Sequence, residues 1–270
     1  MGLLTKHREH MDALAIVKTH YQPVQPSVQP SGLVSYLELA PDPRLQLYIH
    51  CYWQLKTNNP LKEPFVYRVV ADGCIDVFFE PGQSQESFVM GFCKQYTEFE
   101  LDRTFNYVGI RFLPTMFPRL FNVDAASLSN RTEPLAAVVP SMASFLGSCF
   151  TPDVSIEHVQ LQLDTYFLHH MVQVNSVTDL RLYNALATII KRSGTLNVEK
   201  DIDCGISPRQ LRRLFKFYIG DTAKTFSKIV RFQQVLRTGA SFYDAGYYDQ
   251  AHFIKDFRHF SGVTPKERAL

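Results

Sequence analysis

The chain has 270 residues, of which 46% are apolar and 20% charged, as in a soluble globular protein with room for two domains. No apolar run approaches the roughly 20 residues that span a bilayer. The first twenty residues lack the apolar core of a secretory signal, which predicts a cytoplasmic protein without a membrane partner. The net charge of +2 hides an uneven distribution. Residues 1–180 carry 12 Lys and Arg against 18 Asp and Glu, whereas residues 181–270 carry 16 against 8. The basic second half predicts a polyanionic ligand.

The cysteines are odd in number, widely spaced and form no CxxC pair. This spacing argues against a disulfide framework and against a zinc ribbon, and it fits a reducing compartment. Each cysteine is interpreted as a small apolar residue, and no metal or cofactor is predicted. The five positions are Cys51, Cys74, Cys93, Cys149 and Cys204.

The first 140 residues divide into an arm and a β-rich segment. Residues 1–20 have an amphipathic helical pattern, and the three prolines of YQPVQPSVQPSG favour extended structure, so residues 1–32 are expected to form an arm and linker. From residue 33 onward, short runs rich in aromatic and β-branched residues alternate with turn residues. They predict a small, cupin-like β-barrel or two-sheet sandwich over residues 33–140. The runs are SYLELA, YIHCYWQLK, VYRVVADGCIDVFFE, SFVMGF, TEFELD and NYVGIRFL.

Residues 114–175 have a helical texture with prolines at the expected helix starts, and residues 141–175 are interpreted as a helical connector. Val159, Leu163 and Phe167 share one face at helical spacing, together with Tyr166. The pair His169 and His170 closes this helix, where cations suit the helix dipole. The two histidines therefore indicate a helix end and not a metal site.

The segment after residue 176 is helical, with clear start and stop signals. One helix is expected to end at Lys191 and Arg192, before Gly194, and another near Gly239. Between them, Ser207 is a predicted N-cap that precedes a proline and has Gln210 three positions later, which is a capping box. Gly220 is the predicted stop of this helix.

The helix over residues 208–218 has an apolar face and a basic face. A short helix, a tight turn and a capped basic helix form the helix-turn-helix pattern, in which the second helix enters the major groove. Arg and Gln are suited to bidentate contacts with guanine and adenine. The inward residues are Leu211, Leu214, Phe215 and Tyr218, and the outward ones are Arg209, Gln210, Arg212, Arg213 and Lys216.

This layout occurs a second time near the end of the chain. SPRQLRRLFKFYIGDTAK and DQAHFIKDFRHFSGVTPK both have a polar cap, an inward apolar residue at the fifth position, a basic residue at the seventh and Phe at the ninth. Phe253 and Phe257 are expected to point inward, and Phe260 lies one turn further. Thr264 and Glu267 form another capping signature around a proline. The two segments predict tandem helix-turn-helix units.

ISPRQLRRLFKFYIG paired with GYYDQAHFIKDFRHFSGVTP resembles the DNA-binding domain of the AraC/XylS transcription regulators of bacteria, over about residues 180–268. YIHCYWQL, VADGCIDVFF and VGIRFLP are similar to an uncharacterised sensor-like domain that precedes it in some members. The resemblance implies an α+β protein with a tandem helix-turn-helix domain over residues 176–270. It also implies double-stranded DNA, a small-molecule effector, a second copy of the chain and RNA polymerase as partners.

The resemblance places the expected DNA contacts on two helices. In the first recognition helix they are Ser207, Arg209, Gln210, Arg212 and Arg213. In the second they are Gln250, Ala251, His252, Ile254 and Lys255. Arg231 matches a family position in the linker helix, where either a DNA contact or an ion pair between the two units is expected.

The chain departs from the family between the two units. Arg231 and Gly246 lie closer together than in the family, and GASFYDAG is too short for a full scaffold helix at 1.5 Å per residue. We expect the second recognition helix to be less firmly seated, or the linker helix to end early and supply the missing turn.

Other classes of protein remain open. An enzyme on a cupin-like barrel would need clustered His and carboxylate ligands, but His50 stands alone among the strands. Asp72, Cys74 and Asp76 alternate on one strand without a matched histidine, and no nucleophile elbow, P-loop or dinucleotide fingerprint appears. A DNA-repair protein with a reactive cysteine is disfavoured by the scattered cysteines. A degenerate regulator that binds only another protein is the main alternative. The chain is predicted not to be an enzyme.

Overall fold

The computed structural model describes residues 12–26, 32–83, 86–173 and 179–268, and these form a mixed α+β structure. The strands lie in the first half of the chain and the second half is helical, as the hydrophobic patterns predict. The six predicted strand runs all contain strands, and the longest contains two, because Asp72 and Gly73 interrupt it. A short eighth strand lacks an apolar run and was not predicted. The strands are β1 Val34–Leu39, β2 Ile49–Thr57, β3 Phe65–Val69, β4 Ile75–Phe79, β5 Ser87–Met90, β6 Thr97–Leu101, β7 Asn106–Phe112 and β8 Thr132–Pro134.

The strands form two sheets. Six of them pair in the order β1-β2-β7-β4-β5-β8, and β3 pairs with β6 in a two-stranded sheet. Every pairing is antiparallel. Alternation along β2 turns Cys51, Trp53 and Leu55 towards a small apolar cluster, whereas Tyr52 faces the main core. The two faces of the six-stranded sheet therefore have different roles.

Helices cover the main-core face of this sheet. Val159, Leu163 and Phe167 are fully buried, as their helical spacing predicts. His170 lies within 3.0 Å of the carbonyl oxygen of Leu120 through Nε2, so it has a structural contact inside the fold. The helices of this half are α1 (described residues 12–20), α2 Met116–Phe121, α3 Ala125–Leu128, α4 Leu135–Val138, α5 Pro140–Cys149 and α6 Ile156–Gln173.

The second half has the predicted caps. Ser207 Oγ accepts a hydrogen bond from the Gln210 amide at 3.2 Å, and Asp249 accepts one from the His252 amide at 2.7 Å. Thr264 and Glu267 form both bonds of a capping box. The helices are α7 Leu180–Lys191, α8 Val198–Asp201, α9 Pro208–Ile219, α10 Ala223–Thr238, α11 Gln250–Ser261 and α12 Pro265–Arg268.

One hydrophobic core runs through both halves, and the segment at residues 12–26 lies inside it. Leu14, Val17 and Tyr21 are buried, so this part of the predicted arm is packed. The Tyr21 hydroxyl donates to the carbonyl oxygen of Asp72, and its ring packs against Phe226 with centroids 5.9 Å apart. Residues 27–31 of the predicted linker lie outside the described residues. No helix in the described ranges is both long enough and apolar enough to cross a membrane.

Candidate nucleic-acid interface

Helix α9 presents a group of basic side chains on its first two turns. Leu211, Phe215 and Ile219 are buried, and this stripe orients the helix on the core. Ser207, Arg209, Arg212 and Arg213 are exposed, and Gln210 is half-buried. Within the described part of the chain, no carboxylate pairs with any of the three arginines. Their guanidinium groups are therefore available to a ligand.

Helix α11 is also oriented by a buried aromatic stripe. Phe253, Phe257 and Phe260 are buried, and Phe232 of α10 packs against the last two with ring centroids 5.4 Å away. The exposed side chains of the first two turns include Gln250, Ala251, Ile254 and Lys255. His252 differs from them, because its Nε2 lies 3.4 Å from Asp256 and its ring meets the edge of Tyr247. Four of the five predicted contact residues thus face solvent.

Helices α9 and α11 both dock their C-terminal ends on the β-rich half. A Cβ added at Gly220, which caps α9, would lie 2.8 Å from Phe92 Cβ. At the end of α11, the carbonyl oxygens of His259 and Phe260 accept hydrogen bonds from the amides of Tyr96 and Ala71, at 3.3 and 3.1 Å. The N-terminal halves, where a recognition helix meets base edges, carry the exposed polar groups.

Within the described part of the chain, no helix lies between α10 and α11, where the second predicted unit would have its scaffold helix. Helix α10 ends at Thr238 with Gly239 as its cap, and residues 240–249 form only a turn, closed by the bond from the Ala245 amide to the Ser241 carbonyl oxygen at 3.1 Å. Helix α11 is nevertheless firmly packed, because it contacts α10 and the β-rich half in place of the missing helix. The leading helix of the first unit, α8, is also short at four residues.

Arg231 joins the two units. Its Nη2 lies 3.5 Å from Asp256 Oδ2 on α11, and its guanidinium stacks 4.0 Å from the centroid of the Tyr247 ring. Its Nη1 donates to the Gly246 carbonyl oxygen at 3.4 Å. The Arg231 side chain is only 13% exposed. Of the two roles expected for Arg231, the structure shows the ion pair.

A second site lies between the two sheets and was not predicted from the sequence. A cavity of about 250 Å³ is lined mainly by aromatic and aliphatic side chains from both sheets. Arg111 and Asp76 form its buried polar wall, 2% and 3% exposed. The available sequence signal was the arginine in the otherwise apolar run VGIRFLP, because a buried arginine requires carboxylate partners.

Three carboxylates surround the Arg111 guanidinium. Asp76 Oδ2 lies 3.1 Å from Nη2, and Asp72 Oδ2 lies 3.3 Å from Nε. Glu38 Oε1 lies 3.3 Å from Nη1. Burial raises the pKa of Asp76 to about 6, while Arg111 and the Trp53 indole act in the opposite direction. The alternation of Asp72 and Asp76 in the sequence thus has a structural explanation as an ion-pair network.

Residues 70–74 connect this network to the helical half. The Ala71 carbonyl oxygen accepts a hydrogen bond from Gln233 Nε2 of α10 at 2.8 Å, and the Ala71 amide binds Phe260 of α11. Asp72, the next residue, contacts Arg111. Ala71 therefore contacts α10 and α11, and the adjacent Asp72 contacts Arg111 of the cavity wall.

Three possible metal donors lie together on β1 and β2. One donor atom each from Glu38, His50 and Cys51 falls within 4.8 Å of the others, and His50 Nδ1 has no hydrogen-bond partner among the described residues. Burial lowers the pKa of His50 to about 3, with contributions from Arg111 and Lys18. The positive charges of Arg111 and Lys18 act on His50 and oppose binding of a divalent cation there. The absence of a metal stays a prediction.

Residues 37–134 match a family model described as a domain of unknown function, DUF6597. None of the curated proteins matches the chain. Among solved structures, the crystal structure of ToxT from Vibrio cholerae O395 is 14% identical, covers 87% of this chain and 95% of that chain, and has a TM-score of 0.35.

Two further ToxT structures are similar to the same degree. ToxT from the same source bound to (E)-4-(8-methylnaphthalen-1-yl)but-3-enoic acid is 14% identical, with coverages of 87% and 96% and a TM-score of 0.37. Wild-type ToxT from Vibrio cholerae strain SCE256, bound to an unsaturated fatty acid, is 12% identical, with coverages of 87% and 93% and a TM-score of 0.35. Similarity at this level does not identify a ligand of this chain.

Proposed function

We propose that the chain is a sequence-specific DNA-binding transcription regulator of the AraC type. The observation that carries the proposal is the exposed group of Arg209, Arg212 and Arg213 on the capped first half of α9, none of which pairs with a carboxylate in the described ranges. Arginine is the side chain best suited to guanine, and Gln210 beside it is suited to adenine. The Ser207 hydroxyl and the positive end of the helix dipole at the start of α9 are suited to a phosphate.

Helix α11 is the proposed second reading helix. Its exposed Lys255 has the position of Arg213 in the repeated pattern. Gln250 is exposed at the helix start, and Ala251 and Ile254 offer apolar contacts to thymine methyl groups. His252 must leave Asp256 to reach a base, so we assign it a smaller share of the affinity. Because the C-terminal end of α11 is fixed to Ala71 and Tyr96, its approach to DNA depends on the β-rich half.

The β-rich half is the proposed sensor. Support comes from the cavity between its sheets and from residues 70–74, which contact both the cavity wall and α10. A small molecule that shifts the Arg111 network would also shift Ala71, which contacts both α10 and α11. The homodimer and the contact with RNA polymerase that the family resemblance implies stay predictions.

A mobility-shift assay with the DNA upstream of the protein's own gene tests the proposal. We expect Arg213→Ala to lower the affinity for a specific site by about 1–3 kcal/mol and to relax base preference at one position. Arg237→Ala, on the exposed end of α10, is the matched control because it removes the same charge away from both reading helices. Absence of a shift at low salt would refute DNA binding and leave the protein-binding alternative.

A further inference from the structure

The cavity between the two sheets has the composition of a ligand site. Phe78 lies at its centre, and four other rings surround it with centroids 5.5 to 6.4 Å away, those of Phe88, Phe99, Tyr107 and Trp53. All of these side chains line the cavity, and four of the five rings are only half-buried. Accessible aromatic faces around a half-open cavity of about 250 Å³ fit a small ligand with an apolar body.

Gly109 allows one wall of the cavity to form. It pairs with Trp53 across β2 and β7, and a Cβ at this position would lie 2.0 Å from the indole ring. Without that Cβ, the indole lies over β7 and donates its Nε1 hydrogen to Asp76 Oδ2 at 3.0 Å. This hydrogen bond holds the edge of the Trp53 indole against the polar wall, and the side chain is buried.

The groups in and behind the polar wall carry an excess of negative charge. Arg111 and Asp76 line the cavity, and the Arg111 guanidinium is also paired with Asp72 and Glu38, which lie behind the wall, each within 3.3 Å. A fourth carboxylate, that of Glu100, lines the rim of the cavity. Each nitrogen of the guanidinium already faces a carboxylate oxygen, so an anionic ligand would find no unshared cation here.

We propose that this cavity binds a small organic cation, an amine or quaternary ammonium compound with an apolar body. The aromatic faces attract a cation through their quadrupoles, and the carboxylates of Asp76 in the wall and Glu100 at the rim compensate its charge. Its apolar part packs against Leu55, Val69 and Met90 on the same walls. This inference rests on the proposed small-molecule response but requires no DNA binding.

The protein carries its own reporter for the test. Trp53 is the single tryptophan of the chain and lines the cavity, so intrinsic tryptophan fluorescence reports on this site alone. The full chain is titrated with benzyltrimethylammonium, benzyl alcohol and phenylacetate, which share a benzyl group and differ in charge. We expect a saturable change with the cation, roughly tenfold weaker binding of the alcohol and no saturation with phenylacetate.

Two variants separate the contributions. Phe99→Leu keeps apolar volume but removes an aromatic face, so the cation should bind several-fold more weakly while the alcohol is little affected. Glu100→Gln removes a rim charge and should weaken only the cation, and because Glu100 is exposed this change leaves the fold intact. Phe145→Leu, a half-buried ring on α5 outside the cavity, is the matched control.

The proposal is overturned if phenylacetate binds as tightly as the cation, if no probe gives a saturable change, or if both cavity variants retain wild-type affinity for the cation. Because the reporter does not involve DNA, a negative result here leaves DNA binding untouched. Failure of the mobility shift would likewise leave cation binding intact.

Discussion

Arg231 of α10 and Asp256 of α11 form an ion pair across the two helical units, with Nη2 and Oδ2 3.5 Å apart. Asp256 is 7% exposed and also faces Lys228 at 3.6 Å. The pair lies next to the turn between α10 and α11, where the second predicted helix-turn-helix unit would have its scaffold helix. The stacking of Arg231 on Tyr247 extends the contact to the turn before α11.

Replacement of Arg231 should therefore loosen α11. We expect Arg231→Ala to lower the free energy of unfolding by roughly 1–3 kcal/mol, because it leaves a buried carboxylate short of a partner. Lys228 and His252 remain near Asp256 and limit the loss. Chemical denaturation measures the change, with Arg237→Ala as the control on the same helix. Equal stability of the two variants would contradict a joining role.

A pair of glycines tests the docking of α9 on the β-rich half. Gly220 and Gly239 both cap helices with positive φ, at 108° and 68°, so alanine is strained at either position. Only at Gly220 would the new Cβ also meet another element, 2.8 Å from Phe92 Cβ and 3.2 Å from the Ala125 carbonyl oxygen.

We expect Gly239→Ala to cost about 1–2 kcal/mol of unfolding free energy and Gly220→Ala to cost about 1–3 kcal/mol more, from overpacking. Thermal or chemical denaturation of the two variants gives the difference. Similar losses at both positions would mean that α9 does not dock on Phe92 in solution.

Asp76 makes stability depend on pH. Burial raises its pKa in the folded chain to about 6, above the value of about 3.9 expected in the unfolded chain. Between these values the folded state holds more protons than the unfolded state, so this group's contribution to stability falls as pH rises from about 4 to about 6. The slope is at most about 1.4 kcal/mol for each pH unit.

Unfolding titrations at several pH values test this assignment. Asp76→Asn should remove the downward slope, and Asp124→Asn, at an exposed helix cap, should keep it. An unchanged slope in Asp76→Asn would show that another group is responsible.

The sequence predicted the elements better than their connections. The strand runs, the helix caps and the inward faces of α9 and α11 follow local periodicity and capping chemistry, and the structure contains them. The Arg111 network, the cavity and the contacts of Ala71 were not predicted, because they join residues far apart in the chain. Asp76 and Arg111 are neighbours only after β4 and β7 pair.

In the second predicted unit, the sequence indicated the local structure but not the tertiary packing. The spacing of Arg231 and Gly246 correctly indicated a truncated lead-in, and residues 240–249 form a turn. The spacing could not show that the seat of α11 is instead provided by Phe232 and Ala71. Compensation of this kind depends on tertiary packing and leaves no local pattern.

The salt dependence of DNA binding tests the central claim most directly. Basic groups that contact phosphates release counterions, so the logarithm of the association constant should fall linearly with the logarithm of salt concentration, by about 0.9 for each phosphate contacted. Fluorescence anisotropy of a labelled duplex from the upstream region measures this slope for the wild type and for Arg209→Ala combined with Arg212→Ala. We predict a steep slope that becomes shallower by up to about two in the double variant, one for each arginine that contacts a phosphate. Affinity that does not change with salt, or no binding at low salt, would contradict the assignment of α9 as a DNA-reading helix.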